Sequence, residues 1–485
     1  MDNKQDEIVI FPFDSLSVPL RHGLQLMMNE GLKLPKPALT RGKPGSPDSV
    51  NIAYYGTVIK VGDVYRMWYL GGGDLDEGEP VSWYRAYKMR VCYAESPDGI
   101  IWEKPSLGLV DYGGSKENNL VKLECEHQVF ACVVLYEPDD PDHSKRYKMS
   151  YEVIPGALHY VAFSHDGYVW ENSSKNPVNK VQFEQSGLTK VGGLYCLTGQ
   201  STGIRRLTTL LSYDFENWND AYCVGFKRDD YSKTALVPQN DTAHGKNSGE
   251  QVHLGASLWL RRGIILGFYG QWHGPDYFNG DRRGLNMDIG LVYTHDGLNY
   301  NEPLPDFRIV SATELAWPEL MPGPRITQGQ GFENIGDKTY FWFGIWGPGG
   351  GNCIRTAVWD KDRLGCLYPL TSKRQLGEGQ VVVSGLEPHF ITTPFDNTDI
   401  EGRLYINASG ITENSYVVVE ILNENFTPIN GFYGDDCIPI KSSDFHKKIE
   451  WKNTDLSQLK NRFRIKVIYK GIRLEDAQVY ALYLI

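Results

Sequence analysis

Short runs of alternating apolar and polar residues recur along the chain, each broken by a Gly/Asp turn and followed by a strand rich in aromatics. "TVIKVGDVYRMWYLGG" from Thr57, "VVLYEPDDPDHSKRYKMSYE" from Val133, "GLTKVGGLYCLTGQ" from Gly187, "SLWLRRGIILGFYGQ" from Ser257 and "GFENIGDKTYFWFGIWG" from Gly331 share this layout. The period is two, the strand period, and the pairs Gly62-Asp63, Gly192-Gly193 and Gly336-Asp337 carry hairpin-turn chemistry. A third apolar run follows each hairpin, as in "MRVCYAES", "HYVAFSHD" and "IGLVYTHD". No long stretch shows a convincing helical period.

A second echo closes the units. "SPDGIIW" at Ser96 returns as "SHDGYVW" at Ser164, and in weaker form as "SYDFENW" at Ser212, "THDGLNY" at Thr294 and "VWDKDRLG" at Val358. The Ser and Asp side chains suit backbone N–H groups of a tight turn, Gly permits positive φ, and the aromatic packs on the sheet. We read these Asp residues as structural clips rather than catalytic groups.

Four strands per unit, repeated five times, predict an all-β protein: a five-bladed β-propeller followed by a C-terminal antiparallel β-sandwich. Residues 1–45 are expected to pack on the propeller, 46–372 to form it, and 373–485 to form the sandwich. The sandwich rests on the alternating runs "GRLYINASG", "SYVVVEIL", "NRFRIKVIYK" and "AQVYALYLI".

Charge and composition narrow the partners. The net charge of −11 and the lack of a Lys/Arg block argue against nucleic acid. There is no apolar run of membrane-spanning length and no signal peptide in the given chain. A cytoplasmic location, or a periplasmic or secreted one after signal removal, is expected; a carbohydrate is the expected partner, and oligomeric state is not legible. The eight cysteines form no CxxC pair and read as buried thiols. No metal motif appears, so no cofactor is required; a structural cation on the propeller axis is compatible with the architecture but not indicated.

In a propeller the first strand of each blade lines the axis, and polar groups at its start converge from different blades. Those positions offer Asp48, Tyr54 and Tyr55 in the first unit, and Glu126 and His127 in the second. The third offers Glu184 and Gln185, the fourth Glu250 and His253, and the fifth Gln328. Two carboxyl groups flanking a glycosidic oxygen are the requirement of glycoside hydrolysis. Glu184 and Glu250 are the preferred pair, with Asp48 and Glu126 as further catalytic candidates. Tyr54, Tyr55, His127, Gln185, His253, Trp272, His273 and Gln328 are candidates for substrate contact, with Asp276 beside them in the loop after Trp272. The plain alternative for each Glu is a solvated loop position, and for the Trp272 loop a self-packed aromatic turn.

With these units in hand, the chain resembles the five-bladed propeller glycoside hydrolases of families 32 and 43. "TVIKVGDVYRMWYLGG" is similar to their first blade, "IRTAVWDKDRLGCLYP" to the end of the last blade in family 32, and the C-terminal sandwich is a family 32 trait. The resemblance implies hydrolysis of a terminal sugar, often a furanoside. It matches the family acid to Glu184 in "FEQSGL". The family's two Asp positions fall near Tyr55 and near Phe130-Ala131-Cys132, where no Asp stands. Exo-acting hydrolysis with a carboxylate set particular to this chain is the leading expectation. A non-catalytic carbohydrate-binding propeller, a sialidase-like enzyme recruiting Arg205, Arg261 and Arg282, and a glycoside phosphorylase are the alternatives.

Overall fold

A computed structural model describes residues 7–485 apart from 76–87, 155, 180, 202–204, 220–222, 229–249, 274–284, 316–321, 347–350, 352, 371–385, 397–400 and 460. The described residues are strands and turns, with only short 3-10 segments such as His143–Lys145.

The hairpins form where the turn glycines predict them. Asn51–Val61 pairs with Val64–Gly72 and then Arg90–Ser96 (unit I); Gln128–Tyr136 with Tyr147–Ile154 and Leu158–Ser164 (unit II). Phe183–Val191, Leu194–Ser201 and Leu207–Ser212 make unit III. Glu250–Arg261, Ile264–His273 and Asn286–Thr294 make unit IV, and Ile326–Ile335, Lys338–Ile345 and Cys353–Asp360 make unit V. The first strands of successive units touch in order I–II–III–IV–V, and V returns to I, where Gln330 and Gly331 pair in parallel with Thr57 and Val58. Each first strand carries a register break near its start, between Ala53 and Thr57, Val129 and Ala131, Gln185 and Gly187, His253 and Ala256, and Gln328 and Phe332. Such bulges bend a strand and re-aim its side chains.

The turn echoes are clips, and four share one hydrogen-bond pattern. In unit I the Gly99 N–H donates to Ser96 Oγ at 2.8 Å, and the Ile100 and Ile101 N–H groups donate to Asp98 Oδ1, each at 2.8 Å. Trp102 Nε1 then donates to the Gly99 carbonyl at 3.0 Å. Ser164, Asp166 and Trp170 repeat this, as do Ser212, Asp214 and Trp218, and Thr294, Asp296 and Tyr300. Burial pushes the Asp296 carboxyl up, but the Asn299 and Leu298 N–H groups outweigh it and hold it down at about 2.

The same turns lock neighbouring units. Trp342 of unit V donates to the Gly99 carbonyl at 3.1 Å, and Trp68 of unit I to the Gly167 carbonyl at 2.8 Å. Gly99 and Gly167 have φ of +73° and +83°. A Cβ at Gly99 would stand 2.6 Å from Ile335, and one at Gly167 2.8 Å from Trp68, so glycine serves both the turn and the seam.

The fifth echo departs from the pattern. Asp362, at φ +57°, makes no Ser/Asp clip but is buried at the junction with the C-terminal sheets. It accepts hydrogen bonds from Arg261 at 2.5 Å, Tyr483 at 2.9 Å and Asn334 at 3.0 Å.

Two further sheets use chain ends from both sides. One orders Asp444–Lys448, Leu404–Ser409, Gln478–Leu484, Gly365–Pro369 and Leu24–Met28; the other orders Leu20–His22, His389–Ile391, Phe463–Lys470 and Tyr416–Asn423. Ile406, Val419, Trp451, Phe463, Val467 and Leu482 fill the core they share. The N-terminal segment is thus divided: Ile8–Ile10, Leu20–His22 and Leu24–Met28 join these sheets, while Leu32–Lys33 and Leu39–Thr40 pair onto the outer strand of unit V.

Candidate carboxylate site at the entrance of the ring

The starts of the first strands gather the site. Glu184, the second residue of the unit III first strand, is half-buried and pairs in register with Gln200. Gln200 Nε2 donates to Glu184 Oε2, while its Oε1 accepts the Leu254 N–H of unit IV at 3.0 Å. Gln200 therefore spans units III and IV and fixes one oxygen of the carboxylate.

The acid that faces Glu184 is Glu152, on the second strand of unit II. It is 2% exposed, and among the described residues its Oε2 has no hydrogen-bond partner. Burial pushes its carboxyl well above the usual range, the Glu184 charge pushes it further, and a hydrogen bond from the Gln185 backbone N–H opposes them weakly. Its cross-strand partner His159 is buried and held down to about 3 by desolvation, so it is neutral and adds no compensating charge. His159 Nε2 lies 2.8 Å from Ser150 Oγ.

Aromatic rings wall the neighbouring space. His253 stacks on Trp272 at 5.8 Å and 25°, and meets Trp346 at 5.8 Å; Tyr55 lies 6.3 Å from His253 and 5.9 Å from Phe130. The Arg205 guanidinium sits 4.0 Å from the Trp272 ring centre, and that of Arg325 5.8 Å from Trp346. Tyr55, Trp272, Trp346 and Leu254 belong to one apolar cluster, so the Gln200 bond to Leu254 ties this wall to Glu184.

Several sequence-selected residues sit elsewhere in the polar economy of the ring. Asp48 is fully buried, ion-paired with Lys104 and bonded by the Tyr69 hydroxyl at 2.7 Å, so it is a structural anion here rather than a group open to substrate. Gln185 turns into unit II, accepting from Ser150 Oγ and donating to the Ser150 and Ala131 carbonyls at 2.8 and 3.2 Å. Gln328 donates to the His253 and Gly255 carbonyls at 2.7 and 3.0 Å. Both amides staple first strands together. Tyr54 is completely buried against unit V, where the Gly331 position leaves it room. Glu126 and His127 are exposed on the approach to unit II. His273 contacts Asp288 at 3.2 Å; burial raises that carboxyl, but His273, the Ala312 N–H and Arg308 together hold it low. Glu250 opens the unit IV first strand opposite His273; its side chain lies outside the described residues, as do Asp276 and Arg282.

Sequence reasoning missed Glu152 because it considered only first strands. The available signal is "YKMSYEVI", where Lys148, Ser150 and Glu152 fall on alternate positions of a buried strand.

A cavity of about 1120 Å³ opens at the opposite, turn end of the ring, between Lys60, Lys190, Trp259, Arg261, Glu333 and Lys361. Lys190 is engaged by Glu137 at 2.5 Å and Arg261 by Asp362, and the lining runs along the hairpin turns at Gly62-Asp63, Gly192 and Gly263, away from the strand starts. No group of three or more His, Cys, Asp or Glu among the described residues could hold a metal, and no helix is long and apolar enough to cross a membrane.

The sequence matches no protein-family profile and no curated protein. Solved structures to which the chain is similar include a glycosyl hydrolase from Bacteroides ovatus, at 13% identity over 70% of this chain and 95% of that one, with a TM-score of 0.48. A GH32 β-fructofuranosidase of Bombyx mori is similar at 13% identity over 93% of this chain and 94% of that one, with a TM-score of 0.39. A glycoside hydrolase structure of the GH130 family of mannoside phosphorylases is similar at 14% identity over 69% and 98%, with a TM-score of 0.43. The class defined here is all-β, with five repeated antiparallel units whose first strands close into a ring.

Proposed function

We propose that the protein is an exo-acting glycoside hydrolase that takes a terminal sugar into the entrance of the ring, with Glu184 and Glu152 as its working carboxyl groups. The observation that carries this reading is the pair itself. A half-buried Glu184 and a buried Glu152 come from neighbouring units, the Glu184 charge bears on Glu152, and among the described residues Glu152 Oε2 has no hydrogen-bond partner. Purely structural acids do not need that arrangement, since a buried charge without partners costs several kcal/mol. No cofactor takes part in the proposal.

The test is turnover of a panel of 4-nitrophenyl glycosides and reducing oligosaccharides, with and without inorganic phosphate. Hydrolysis without phosphate, lost by 10²-fold or more in Glu184→Gln, is expected. A strict phosphate requirement would reassign the protein as a phosphorylase. Binding of oligosaccharides with no turnover by the unmodified protein would make it a binding propeller.

A further inference from the structure

Two histidines, far apart in sequence, face each other at the edge of the second C-terminal sheet. We propose that His22 and His389 form a binding site for one divalent transition-metal ion, such as Zn²⁺ or Ni²⁺, and that the bound ion clamps the N-terminal segment onto this sheet. Neither Glu184 nor Glu152 nor any other residue of the five units takes part, so the site stands or falls independently of the hydrolase reading.

The strands bring the pair together. Leu20–His22 is the edge strand and runs antiparallel to His389–Ile391, with His22 opposite His389 at the end of the ladder. Phe390 points into the core, where it is completely buried, so alternation along the strand turns His389 to the other face. Both rings are half-buried, with centroids 5.4 Å apart and planes at 30°. The flanking residues fix both backbones. Gly23 takes φ +63° and its carbonyl accepts the Leu370 N–H at 2.9 Å, while the Pro388 carbonyl accepts the Tyr469 N–H at 2.9 Å.

The ring nitrogens are in the state a metal requires. His389 Nδ1 lies 2.8 Å from the Glu387 carbonyl. A carbonyl only accepts, so the proton sits on Nδ1 and Nε2 keeps its lone pair, the usual arrangement behind a ligating imidazole. His22 Nε2 is buried and has no hydrogen-bond partner among the described residues, which costs free energy when nothing occupies it. Burial holds the His389 imidazole below its usual value, so the ring is neutral and able to ligate near pH 7. Lys466, whose charge bears on His389, is itself matched by Glu420 at 3.0 Å. The spacing fits one ion. With Zn–N bonds of about 2.1 Å, a metal stands about 3.2 Å from the centre of each ring it binds, and two rings at a tetrahedral angle then lie about 5.3 Å apart. The observed 5.4 Å matches that bite. Water completes the shell, since no third His, Cys, Asp or Glu joins the pair among the described residues.

The experiment is calorimetric titration of the full chain with Ni²⁺, and separately with Zn²⁺, after EDTA treatment and dialysis. One bound equivalent is expected. His22→Ala and His389→Ala should each weaken it by at least about 10-fold, since losing a ligand costs no less than losing an outer-shell partner. Where an Ala variant does not fold, His22→Gln or His389→Gln keeps a side chain of similar reach and gives the same readout. His446→Gln, which removes the imidazole paired with Glu7 at 2.5 Å, should leave the affinity unchanged. An ion that binds only the folded chain raises its thermal midpoint, and that rise is expected in the unmodified protein and not in the His22 and His389 variants. Affinity should also fall below about pH 6, where imidazoles take up protons. No binding by the unmodified protein at millimolar ion overturns the site. So does an affinity, or a rise in midpoint, that survives both substitutions, because the ion then binds elsewhere.

Discussion

Asp362 and Glu152 are buried equally well and treated in opposite ways. Asp362, at the junction of units IV and V with the C-terminal sheets, accepts from Arg261 twice, from Asn334 and from Tyr483. Burial raises its carboxyl, but the Arg261 charge and these hydrogen bonds leave it below the usual range. Glu152 has, among the described residues, no partner for Oε2, and the Glu184 charge bears on it. One site is built to keep a charge inside the protein; the other is built to make a charge costly. Glu152 lowers the stability of the fold whenever it ionises.

The largest effect that bears on this contrast is removal of the satisfied anion. Asp362→Ala leaves Arg261 buried without its partner and frees Tyr483 and Asn334. We expect a loss of about 3–5 kcal/mol, read as a lower urea midpoint of the full chain. A loss below about 1 kcal/mol would show that the junction does not depend on this anion.

The second effect has the opposite sign. The Glu152 carboxyl is raised in the folded state, so its contribution to stability is fully present below the unfolded glutamate value and is lost as pH rises through the folded one. Glu152→Gln removes that loss. The variant should therefore gain on the unmodified protein as pH rises between those two values, by about 1.4 kcal/mol per pH unit. Taking the difference between the two proteins at each pH cancels the titration of His159, which both retain. A difference that stays flat with pH would put Glu152 in the same class as Asp362.

The contrast also explains what could be read from the sequence. The hairpin glycines, the alternating strands and the Ser/Asp clips are local, so Gly62, Gly192, Asp98 and Asp166 announce themselves within a few residues. Glu184 could be picked out as a candidate because it stands at the start of a first strand. Asp48 looked similar, yet its partner Lys104 lies 56 residues away and turns it into a structural ion. Gln185 and Gln328 were read as polar groups for a ligand, but carbonyls on neighbouring units claim their amides. Glu152 escaped because register, not local pattern, brings it to Glu184. The division of the N-terminal segment between two sheet systems was hidden for the same reason: strands as short as Leu32–Lys33 are defined by what they pair with.

The smallest effect asks whether satisfied groups are also redundantly satisfied. The Gly167 carbonyl in the unit II clip accepts from Trp170 at 3.0 Å and from Trp68 of unit I at 2.8 Å. In unit III the equivalent carbonyl, on Phe215, accepts from Trp218 at 2.8 Å. Replacing either clip tryptophan by Phe keeps a ring in place and deletes one N–H donor. Trp170→Phe leaves the Gly167 carbonyl with the Trp68 bond, so the cost should fall near the low end of a single hydrogen bond, about 0.5 kcal/mol. Trp218→Phe takes the clip donor from a carbonyl whose own residue is completely buried, and about 1–2 kcal/mol is expected. Urea midpoints of the two variants test the order. If Trp170→Phe proved the more damaging, the seam between units I and II would depend on the clip indole itself rather than on the Trp68 bond that crosses it.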